Sequence, residues 1–408
     1  MYILYNILIG SYHLAIQIAA LWSGKARKWV NGRKGIWEKL PVTEKRVIWF
    51  HASSLGEYEQ GRPIMEAWRV KYPDDYLVLT FYSPSGFAVD HSDTVADYIC
   101  FLPADGNKNA SRWYKHWNPA LAVFFKYEFW LHYILQAKNQ NIPLGFTSVL
   151  VRSNHFFFQP YARFFLKALR NVDFWTCQDK PSANRLTEAG MQNVVVAGDT
   201  RIDRVEQIRN MSFSHPFIEK FTKGHYTLIA GSSWSPEENM IIQILPLFPD
   251  IKILMAPHDI SEGHLQKIEN QFRNKSIRLS QTLTPIDLAD KQILVIDRIG
   301  LLSKLYRYGD IALIGGGFGK GVHNTLEPAA YHIPVCFGPK HTAFIEPGQM
   351  ISLGFGHSVE NSGALKTLLE KYRNEGARQA AKASAQEFFS RHKNTTQKNI
   401  LQLEKFIK

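Results

Sequence analysis

The chain has few cysteines and no internal pattern of the kinds that mark repeats or metal sites. Its three cysteines, Cys100, Cys177 and Cys336, are widely separated and form no CxxC pair. This spacing excludes a disulfide framework and a thiolate zinc site, and it fits a reducing cytoplasm. The sequence also lacks short repeats, low-complexity tracts and metal-ligand spacings. A repeat protein and a low-complexity chain are therefore both excluded.

The first 24 residues contain no Asp, Glu, Lys or Arg, and five basic residues follow within ten positions: Lys25, Arg27, Lys28, Arg33 and Lys34. A cleavable signal peptide has the opposite order, because its charges come first. We therefore predict a membrane anchor over 1–24 and a basic linker over 25–45. Polar residues interrupt the apolar segment, so it either spans the bilayer or lies in its interface, with the basic residues on anionic lipid. A helix packed on the globular body is the alternative.

Composition narrows the class of protein and of partner. Lys and Arg outnumber Asp and Glu by 48 to 36, which gives a net charge of +12. This excess points to anionic partners such as nucleic acid, phosphorylated substrates or an anionic membrane. Hydrophobic residues make up 45% of the chain, too many for a disordered protein, and 408 residues suit two domains.

Apolar runs with the character of buried strands alternate with amphipathic segments along most of the chain. Continuous apolarity, rather than strict alternation, indicates strands covered on both faces of a parallel sheet. The first series is 47–50, 76–80, 121–125, 144–148, 174–177 and 194–197, and the second is 226–230, 251–256, 293–296, 311–314 and 335–337.

The two series of strands predict two doubly wound α/β halves with a cleft between them. A polar connection over 207–214 separates the two series. We expect an N-terminal Rossmann-like domain over 46–206 and a C-terminal Rossmann-like domain over 207–375. The charged, amphipathic segment 376–408 is expected to form a C-terminal helix that closes the chain.

A glycine-rich stretch, 315–321, follows the apolar run 311–314 directly and leads into His323, Asn324 and Thr325. A buried strand that ends in glycines, followed by polar residues at the start of a helix, suits the binding of a phosphate or sugar by backbone N–H groups. Glu327 is expected in the first turns of that helix, where its carboxylate could bind ribose hydroxyls. A tight turn is the alternative interpretation.

Ser54, Gly56 and Glu57 follow the first strand of the first half, at the edge where open α/β sheets place ligand groups. Gly56 would permit an unusual backbone angle and the close approach of a ligand. Glu57 is a candidate general base, although a helix N-terminus stabilises the charged carboxylate and would make it a weak base unless burial raises its pKa. The alternative is an ordinary Glu in a first helical turn, and Pro63 leaves the start of that helix open.

The equivalent turn of the second half contains Gly231, Ser232 and Ser233. Hydroxyl groups, free backbone N–H groups and the missing Cβ of Gly231 would suit a phosphate, while an ordinary N-cap at Ser235 with a first-turn Pro236 is the alternative. The next strand ends in Pro257 and His258, where His258 would donate to a phosphate or serve only a structural role.

Four charged residues follow later strands of the first half and add charge to its side of the predicted cleft. Each is either a ligand-binding residue or a surface or ion-pair residue. They are Lys126, Glu128, Arg152 and Arg201.

Together these segments resemble, from the N-terminal anchor to about Pro347, the Kdo transferases, which transfer 3-deoxy-D-manno-octulosonic acid (Kdo). The matches, in family order, are Ser54-Leu55-Gly56-Glu57 for SxGE, Lys126-Tyr127-Glu128-Phe129-Trp130 for KxExW, Gly231-Ser232-Ser233 for the GST-like loop, Pro257-His258 for the Pro-x-His or Pro-His element, and 322–329 for GGHNxLEPA. Two departures are Gly321-Val322, where the family commonly has two glycines, and Arg201, where it usually has a lysine, a change that is not conservative at a bidentate site.

The resemblance implies a GT-B glycosyltransferase that inverts the donor carbon, takes Kdo from CMP-Kdo and transfers it to a lipid A precursor. It implies the catalytic base at Glu57, with Ser54, Gly56, Lys126, Glu128, Arg152 and Arg201 in support or in acceptor binding. The implied donor-binding residues are Gly231, Ser232, Ser233, Pro257, His258, Gly317, His323, Asn324 and Glu327.

The chemistry of the residues agrees with these implications. A sugar hydroxyl is a poor nucleophile until a base such as Glu57 removes its proton. No Asp-x-Asp pair is placed to bind a metal, so we expect fixed donors to stabilise the leaving CMP and no metal or other cofactor to take part. We expect an inner-membrane enzyme of lipopolysaccharide synthesis that binds no nucleic acid. A UDP-sugar transferase, a UDP-sugar epimerase or a non-catalytic nucleotide-sugar-binding module are the alternatives.

Overall fold

The computed structural model describes residues 2–88, 91, 94–281, 288 and 290–407. Its contacts divide the chain into two compact units. Unit 1 contains Met1–Asp203 and Asn394–Lys408, and unit 2 contains Arg204–Lys393. The chain therefore leaves unit 1 and returns to it at its C-terminal end.

Unit 1 is built on a parallel sheet of seven strands in the order β3-β2-β1-β4-β5-β6-β7. The sheet order reverses between β1 and β4, which are neighbours although two strands separate them in sequence. Six of these strands follow the runs predicted from the sequence, and β3 adds an edge strand of only four residues. The strands are β1 (Val47–Ala52), β2 (Tyr76–Phe81), β3 (Tyr98–Phe101), β4 (Leu121–Phe125), β5 (Leu144–Val149), β6 (Phe174–Cys177) and β7 (Val194–Val196).

Helices cover both faces of this sheet, and aromatic side chains fill the core beneath them. Trp49 is fully buried on β1 and packs its ring 4.9 Å from Phe124 and 5.3 Å from Trp113. The helices are α1 (Tyr2–Ala19), α2 (Gly24–Asn31), α3 (Ile36–Lys39), α4 (Leu55–Lys71), α5 (Pro84–Phe87), α6 (Asn107–Trp117), α7 (Leu131–Asn139), α8 (Arg163–Leu169), α9 (Lys180–Glu188), and α10 (Thr200–Asn210), which crosses the boundary between the units.

Unit 2 has its own parallel sheet of seven strands in the order β10-β11-β9-β8-β12-β13-β14. The reversal lies between β8 and β12. β10 and β14 were not predicted, because each is an edge strand of three residues and is too short to stand out as an apolar run. The strands are β8 (Thr227–Ser233), β9 (Lys252–Pro257), β10 (Ser276–Arg278), β11 (Ile293–Val295), β12 (Ile311–Ile314), β13 (Val335–Phe337) and β14 (Gly356–Ser358).

The segment 376–408, expected as one closing helix, forms parts of two helices that belong to different units. The helices after α10 are α11 (Pro216–Thr222), α12 (Ser235–Ile244), α13 (Glu262–Phe272), α14 (Leu302–Leu305), α15 (Leu326–Ala330), α16 (Ile345–Ser352), α17 (Ser362–Arg373), α18 (Glu375–Arg391) and α19 (Thr395–Glu404). α19 buries Ile400 and Leu403 in unit 1, and Asn399 accepts a hydrogen bond from Thr176 of β6 at 2.5 Å. Burial of this apolar stripe explains why the chain returns to unit 1.

α1 is long and apolar enough, by length and composition alone, to cross a membrane. In the structure it lies along unit 1 and touches it through one stripe, since Tyr5, Ile9, His13 and Ile16 are partly buried. The Tyr5 hydroxyl donates to Asp105 at 2.6 Å. The opposite face is exposed and apolar, with Ile3 at 75% exposure. α1 is thus a helix docked on unit 1 whose outer face is largely apolar.

The basic segment after α1 was expected to be a linker that lies on anionic lipid, and two of its arginines are used inside the protein. Arg33 donates to the backbone carbonyls of Leu102 and Tyr82 at 2.8 Å each, and its guanidinium stacks 3.8 Å from the Trp29 ring centre. Arg27 donates to the last carbonyls of the α1 region, at Ala20 and Leu21. Lys25, Lys28 and Lys34 of this segment are exposed cations suited to an anionic surface.

Candidate functional site

In unit 1 the predicted catalytic residues lie where the strand order reverses. β1 ends at Ala52 and β4 ends at Phe125, and the two strands are hydrogen-bonded neighbours. The carboxyl ends of strands at such a switch point are where open α/β sheets bind ligands. The residues that follow them, from Ser53 and from Lys126 onward, therefore share one edge of the sheet.

Glu57 occupies the third position of α4, which begins at Leu55 and continues through Pro63. Its Oε2 atom accepts hydrogen bonds from the backbone N–H groups of Ser53 at 2.6 Å and Ser54 at 3.0 Å. This is the carboxylate half of a capping box, which satisfies N–H groups that a helix start leaves without partners. The structural interpretation of Glu57, an ordinary first-turn Glu, and the functional one are thus compatible, because a capping carboxylate can still face a ligand.

Burial and the nearby charge of Glu128 raise the pKa of Glu57 to about 7. The N–H groups of Ser53 and Ser54 and the charge of Lys126 act in the opposite direction and are outweighed. A carboxyl with a pKa near the working pH is an effective general base, because it is partly ionised and still basic. The weak-base problem posed by the helix N-terminus is therefore removed by burial and by a second acid.

Glu128 belongs to a buried hydrogen-bonded cluster with His51 and Trp130. Its Oε2 atom accepts from Trp130 Nε1 at 2.8 Å and lies 3.2 Å from His51 Nε2. His51 Nδ1 lies 2.9 Å from the hydroxyl and 3.1 Å from the backbone carbonyl of Thr80, and Trp130 Nε1 also lies 3.2 Å from His51 Nε2. His51 was not predicted as a site residue, because an apolar strand run gives no signal for it.

Lys126 follows β4 with a left-handed backbone angle, φ 58°, which is uncommon for a residue with a side chain. Its backbone N–H donates to Thr147 on β5 at 2.9 Å, which fixes the turn. Its charge acts on both Glu57 and Asp199. Lys126 therefore lies close to both the candidate base and Asp199, the partner of Arg201.

Arg201 pairs with Asp199 through two guanidinium nitrogens, with Nε 3.0 Å and Nη2 2.5 Å from Oδ2. Burial alone would raise the pKa of Asp199, but the charge and hydrogen bonds of Arg201 outweigh it and lower this pKa. Asp199, which was not predicted as a site residue, thus holds Arg201 in place. The planar guanidinium, unlike an ammonium group, makes this fork possible.

Arg152 lies beyond the end of β5, and its charge acts on Tyr127, which also interacts with Glu57. The predicted residues are linked to Glu57 directly (Ser54, Lys126 and Glu128), through one neighbour (Arg152) or through two (Arg201). The expected unusual backbone angle at Gly56 was wrong, while the close approach of a ligand there stays a prediction. Gly56 lies in the first turn of α4 without a positive φ, and a Cβ there would meet open space.

In unit 2 the predicted donor residues lie at or after the carboxyl ends of β8, β9 and β12, beside the equivalent reversal. Here the missing Cβ atoms of the glycines leave room for neighbouring atoms of the protein. A Cβ on Gly231 would meet the Tyr306 hydroxyl at 2.2 Å, and one on Gly317 would meet the Gly338 nitrogen at 2.5 Å. The expectation that the missing Cβ of Gly231 makes room for a phosphate was therefore wrong, because Tyr306 fills that space.

The turn after β8 is held by two buried acids that were not predicted as site residues. Glu237 accepts from the Trp234 backbone N–H at 3.0 Å, and Glu238 accepts from the Ser233 hydroxyl at 3.2 Å. Glu238 also lies 3.0 Å from His264 Nε2. The N-cap of α12 is Trp234, one residue before the expected Ser235. Ser232 has a left-handed φ of 51°, which turns the backbone at this point.

Three rings form an open stack at this edge of unit 2. The ring centres of Trp234 and His258 are 4.8 Å apart, and those of His258 and His323 are 4.3 Å apart. Trp234 Nε1 donates to His323 Nε2 at 3.1 Å, so that nitrogen carries no proton. Burial and the neighbouring His258 lower the pKa of His323. The structure thus joins the Pro-His element, the β8 turn and the glycine-rich segment, and it adds Trp234 to them.

Asn324 and Glu327 form a second contact in the same segment. Asn324 Nδ2 donates to Glu327 Oε1 at 3.0 Å, and Asn324 Oδ1 accepts from the Leu326 backbone N–H at 3.1 Å. The helix that follows, α15, begins at Leu326, two residues later than expected from Asn324, and is five residues long. Glu327 is in its first turn, as predicted.

Within the described ranges, no group of three or more His, Cys, Asp or Glu side chains is arranged to hold a metal ion. Metal independence stays an expectation from the sequence.

Comparison with known proteins agrees with the resemblance noted in the sequence. Residues 29–204 match the family model described as 3-deoxy-D-manno-octulosonic-acid transferase (kdotransferase). The 3-deoxy-D-manno-octulosonic acid transferase of Chlamydia muridarum is 25% identical over 376 residues, covering 86% of this chain and 85% of the relative. The enzyme of that name from Haemophilus influenzae is 25% identical over 345 residues, covering 80% of this chain and 78% of the relative.

Solved structures with similar folds have low sequence identity, so they inform the fold alone. A UDP-GlcNAc 2-epimerase from Neisseria meningitidis superposes with a TM-score of 0.60 at 14% identity, covering 88% of this chain and 100% of that one. A glycosyltransferase from Rickettsia africae gives a TM-score of 0.57 at 15% identity, covering 90% and 100%. These neighbours and the two seven-stranded parallel sheets confirm the predicted GT-B class with two Rossmann-like domains. The matched domain and the relatives that span most of the sequence support the resemblance of this chain to the Kdo transferases and indicate a glycosyltransferase.

Proposed function

We propose that this protein transfers Kdo from CMP-Kdo to a sugar hydroxyl of a lipid A precursor, in the synthesis of the lipopolysaccharide inner core. The observation that carries the proposal is Glu57, a half-buried carboxyl whose pKa is raised to about 7 at the switch point of unit 1. The proposed reaction needs one base at such a place, since a hydroxyl becomes nucleophilic only as its proton leaves.

In the proposed reaction the acceptor oxygen forms a bond to the anomeric carbon of Kdo while the bond from that carbon to the CMP phosphate oxygen breaks. The hydroxyl proton passes to Glu57, and CMP leaves with the bonding electron pair. A single displacement of this kind inverts the configuration of the anomeric carbon. Lys126 and Arg201 supply positive charge beside the base, which would attract the anionic groups of the substrates.

We assign donor binding to unit 2 and to the predicted residues that its structure brings together. The ring stack of Trp234, His258 and His323 offers faces to a nucleobase or sugar. Glu327, held by Asn324, offers carboxylate oxygens to ribose hydroxyls. Since Ser233 donates its hydroxyl to Glu238, the backbone N–H groups of this turn are better placed than that hydroxyl to contact a phosphate.

The experiment that tests the proposal offers the purified protein CMP-Kdo and a tetra-acylated lipid A precursor, with UDP-sugars as the alternative donors and E57Q as the control. We expect a Kdo-modified lipid and free CMP only with CMP-Kdo, and little product with E57Q. Turnover of a UDP-sugar without any Kdo transfer would instead support one of the alternative nucleotide-sugar activities.

We also propose that the protein works on the cytoplasmic side of the inner membrane, attached by the apolar outer face of α1 and by Lys25, Lys28 and Lys34. Each basic residue near an anionic surface contributes about 1 kcal/mol, and salt screens this attraction. The triple Gln variant of these lysines should therefore float less completely with anionic vesicles than the wild type. Equal flotation in high and low salt would contradict the electrostatic part of this proposal.

A further inference from the structure

Unit 1 contains a cavity of about 600 Å³, here called the aromatic cavity, that the predicted site residues do not explain. One wall is formed by α1, through Leu4, Leu8 and Ile9, and the opposite wall by the segment 156–165, including Phe164 and Phe165. Its volume lies within the range of roughly 300–1,000 Å³ for small-ligand sites. The cavity is therefore large enough for a substantial part of a ligand.

The lining of the aromatic cavity is mostly apolar, although it includes five tyrosines, and it reaches the candidate base through Ser53 and Glu128. Ser53 donates its backbone N–H to Glu57, and Glu128 is the acid that raises the pKa of Glu57. A ligand that fills the cavity thus has its apolar part between α1 and the aromatic segment and its polar end beside the candidate base.

The charges around the aromatic cavity decide the kind of ligand. None of the described residues that line it is Lys, Arg or His, and the one charged side chain among them is Glu128. A nucleotide or a free phosphate would meet no cation there and one acidic group. An acyl chain loses no hydrogen bonds on entering such a place, and its burial there removes apolar surface from water, which is favourable.

The α1 wall is fixed to the body of unit 1 at a specific point. The Tyr5 hydroxyl donates to Asp105 at 2.6 Å, and Asp105 also contacts His132 Nδ1 at 3.1 Å. The Tyr5 ring packs 6.2 Å from Phe165 across the base of the cavity. These contacts hold the helix beside the aromatic segment while its outer face, including Ile3 and Ile7, stays exposed and apolar.

We propose that the aromatic cavity binds one acyl chain of the lipid acceptor and thereby brings the acceptor sugar to Glu57. This assignment rests on the proposed function, because it takes the acceptor to be an acylated sugar. α1 then has two faces with two roles, an outer face toward the membrane and an inner face toward the acyl chain.

The experiment compares L8W with I7W, two substitutions at neighbouring positions of α1. Leu8 lines the cavity and is 60% exposed, while Ile7 is 58% exposed and does not line it. The measured quantity is the ratio of kcat/KM for the tetra-acylated precursor to kcat/KM for the same sugar without acyl chains. We expect L8W to lower this ratio about tenfold, equivalent to about 1.4 kcal/mol, and I7W to leave it close to the wild-type value.

An equal ratio in L8W and I7W, or a wild type that does not prefer the acylated acceptor, would overturn the proposal. Since both variants add the same side chain to exposed positions of one helix, a general effect on membrane attachment or folding would change both alike. A difference confined to L8W therefore supports the cavity.

A binding measurement separates the failure of this inference from the failure of the proposed function. The probe is a nonionic alkyl glucoside with a terminal pyrene, used below its critical micelle concentration with the full-length protein. We expect saturable fluorescence in the wild type and I7W, about tenfold weaker binding in L8W, and displacement by the tetra-acylated precursor. If this pattern holds while no acceptor receives Kdo, the proposed function fails and the acyl-chain site stands. If monomeric phospholipid displaces the probe as well as the precursor does, the cavity is a bilayer-lipid site and the proposal is wrong.

Discussion

Glu57 in unit 1 and Glu237 in unit 2 occupy the same local position in two separate sheets. Each is the third residue of the helix that follows the first strand of its unit, and each accepts a hydrogen bond from the backbone at the helix start. Burial is the largest cause that raises the pKa in both cases. The two turns therefore share the carboxylate half of a capping box.

The surroundings of the two carboxyls differ. Glu237 is only 1% exposed, and the N–H groups that partly oppose its pKa rise belong to its own turn and to Gly316. Glu57 is half-buried, and a second acid, Glu128, adds to its pKa shift. A carboxyl that a substrate can reach is able to exchange a proton with that substrate. A fully buried carboxyl can only stabilise the turn by hydrogen bonds. Solvent access and nearby charge, rather than the shared motif, therefore distinguish a candidate general base from a carboxyl with a structural role.

The largest expected effect is on turnover, when Glu57 and Glu237 are each replaced by a neutral Gln. E57Q should lower turnover by about a hundredfold or more, the scale of a lost general base, since Gln keeps the shape but accepts no proton. E237Q should lose much less turnover and show its effect mainly as a higher KM for the donor. Steady-state kinetics with both substrates measure the two variants. Near wild-type turnover in E57Q would remove Glu57 from the mechanism.

A smaller effect is expected at the other acid of unit 2, Glu327, which lies in the first turn of α15 beside Asn324. Loss of hydrogen bonds from a charged group costs about 1.5–3 kcal/mol, so E327A should weaken CMP-Kdo binding by at least tenfold. Calorimetry with the donor and with the acceptor compares the two affinities. An unchanged donor affinity would count against this placement of the nucleotide.

The second acid of unit 1 offers a test of how the base is tuned. E128Q removes a negative charge that raises the pKa of Glu57. The rise of kcat/KM with pH, expected near pH 7 in the wild type, should therefore move to lower pH in E128Q. A pH profile between 5 and 9 shows this shift, and it distinguishes an electrostatic role from a purely structural one. Identical profiles would mean that Glu128 does not act on the base.

The smallest expected effect is on stability. The pKa of Glu57 is raised from 4.5 to about 7 in the folded protein, so its contribution favours the folded state most at low pH and is lost as pH rises from about 4.5 through 7. A Gln at this position does not ionise, so E57Q has no corresponding loss of stability as pH rises. The free energy of unfolding of E57Q relative to wild type should therefore increase between pH 5 and pH 8, by on the order of 1 kcal/mol. Urea unfolding at the two pH values measures the change.

Much of the fold could be predicted because strands buried in a parallel sheet appear in the sequence as continuous apolar runs. The runs at 121–125 and 311–314 became β4 and β12 with the same bounds. Edge strands of three or four residues, such as β10 and β14, bury too few residues to leave a comparable run. The return of α19 to unit 1 was also not predictable, since an amphipathic stripe does not say which surface it will cover.

By itself the sequence determined the two α/β halves, the order of the motifs and the acid at position 57, because strand runs and strand-to-helix turns are local patterns. Only the tertiary structure decided which groups act on that acid. His51, Trp130 and Asp199 enter the site through contacts across the sheet edge, and Arg33 is drawn from the basic segment into carbonyl contacts. Burial and charge at a point depend on residues distant in sequence, so a pKa and a cavity wall are properties of the folded chain.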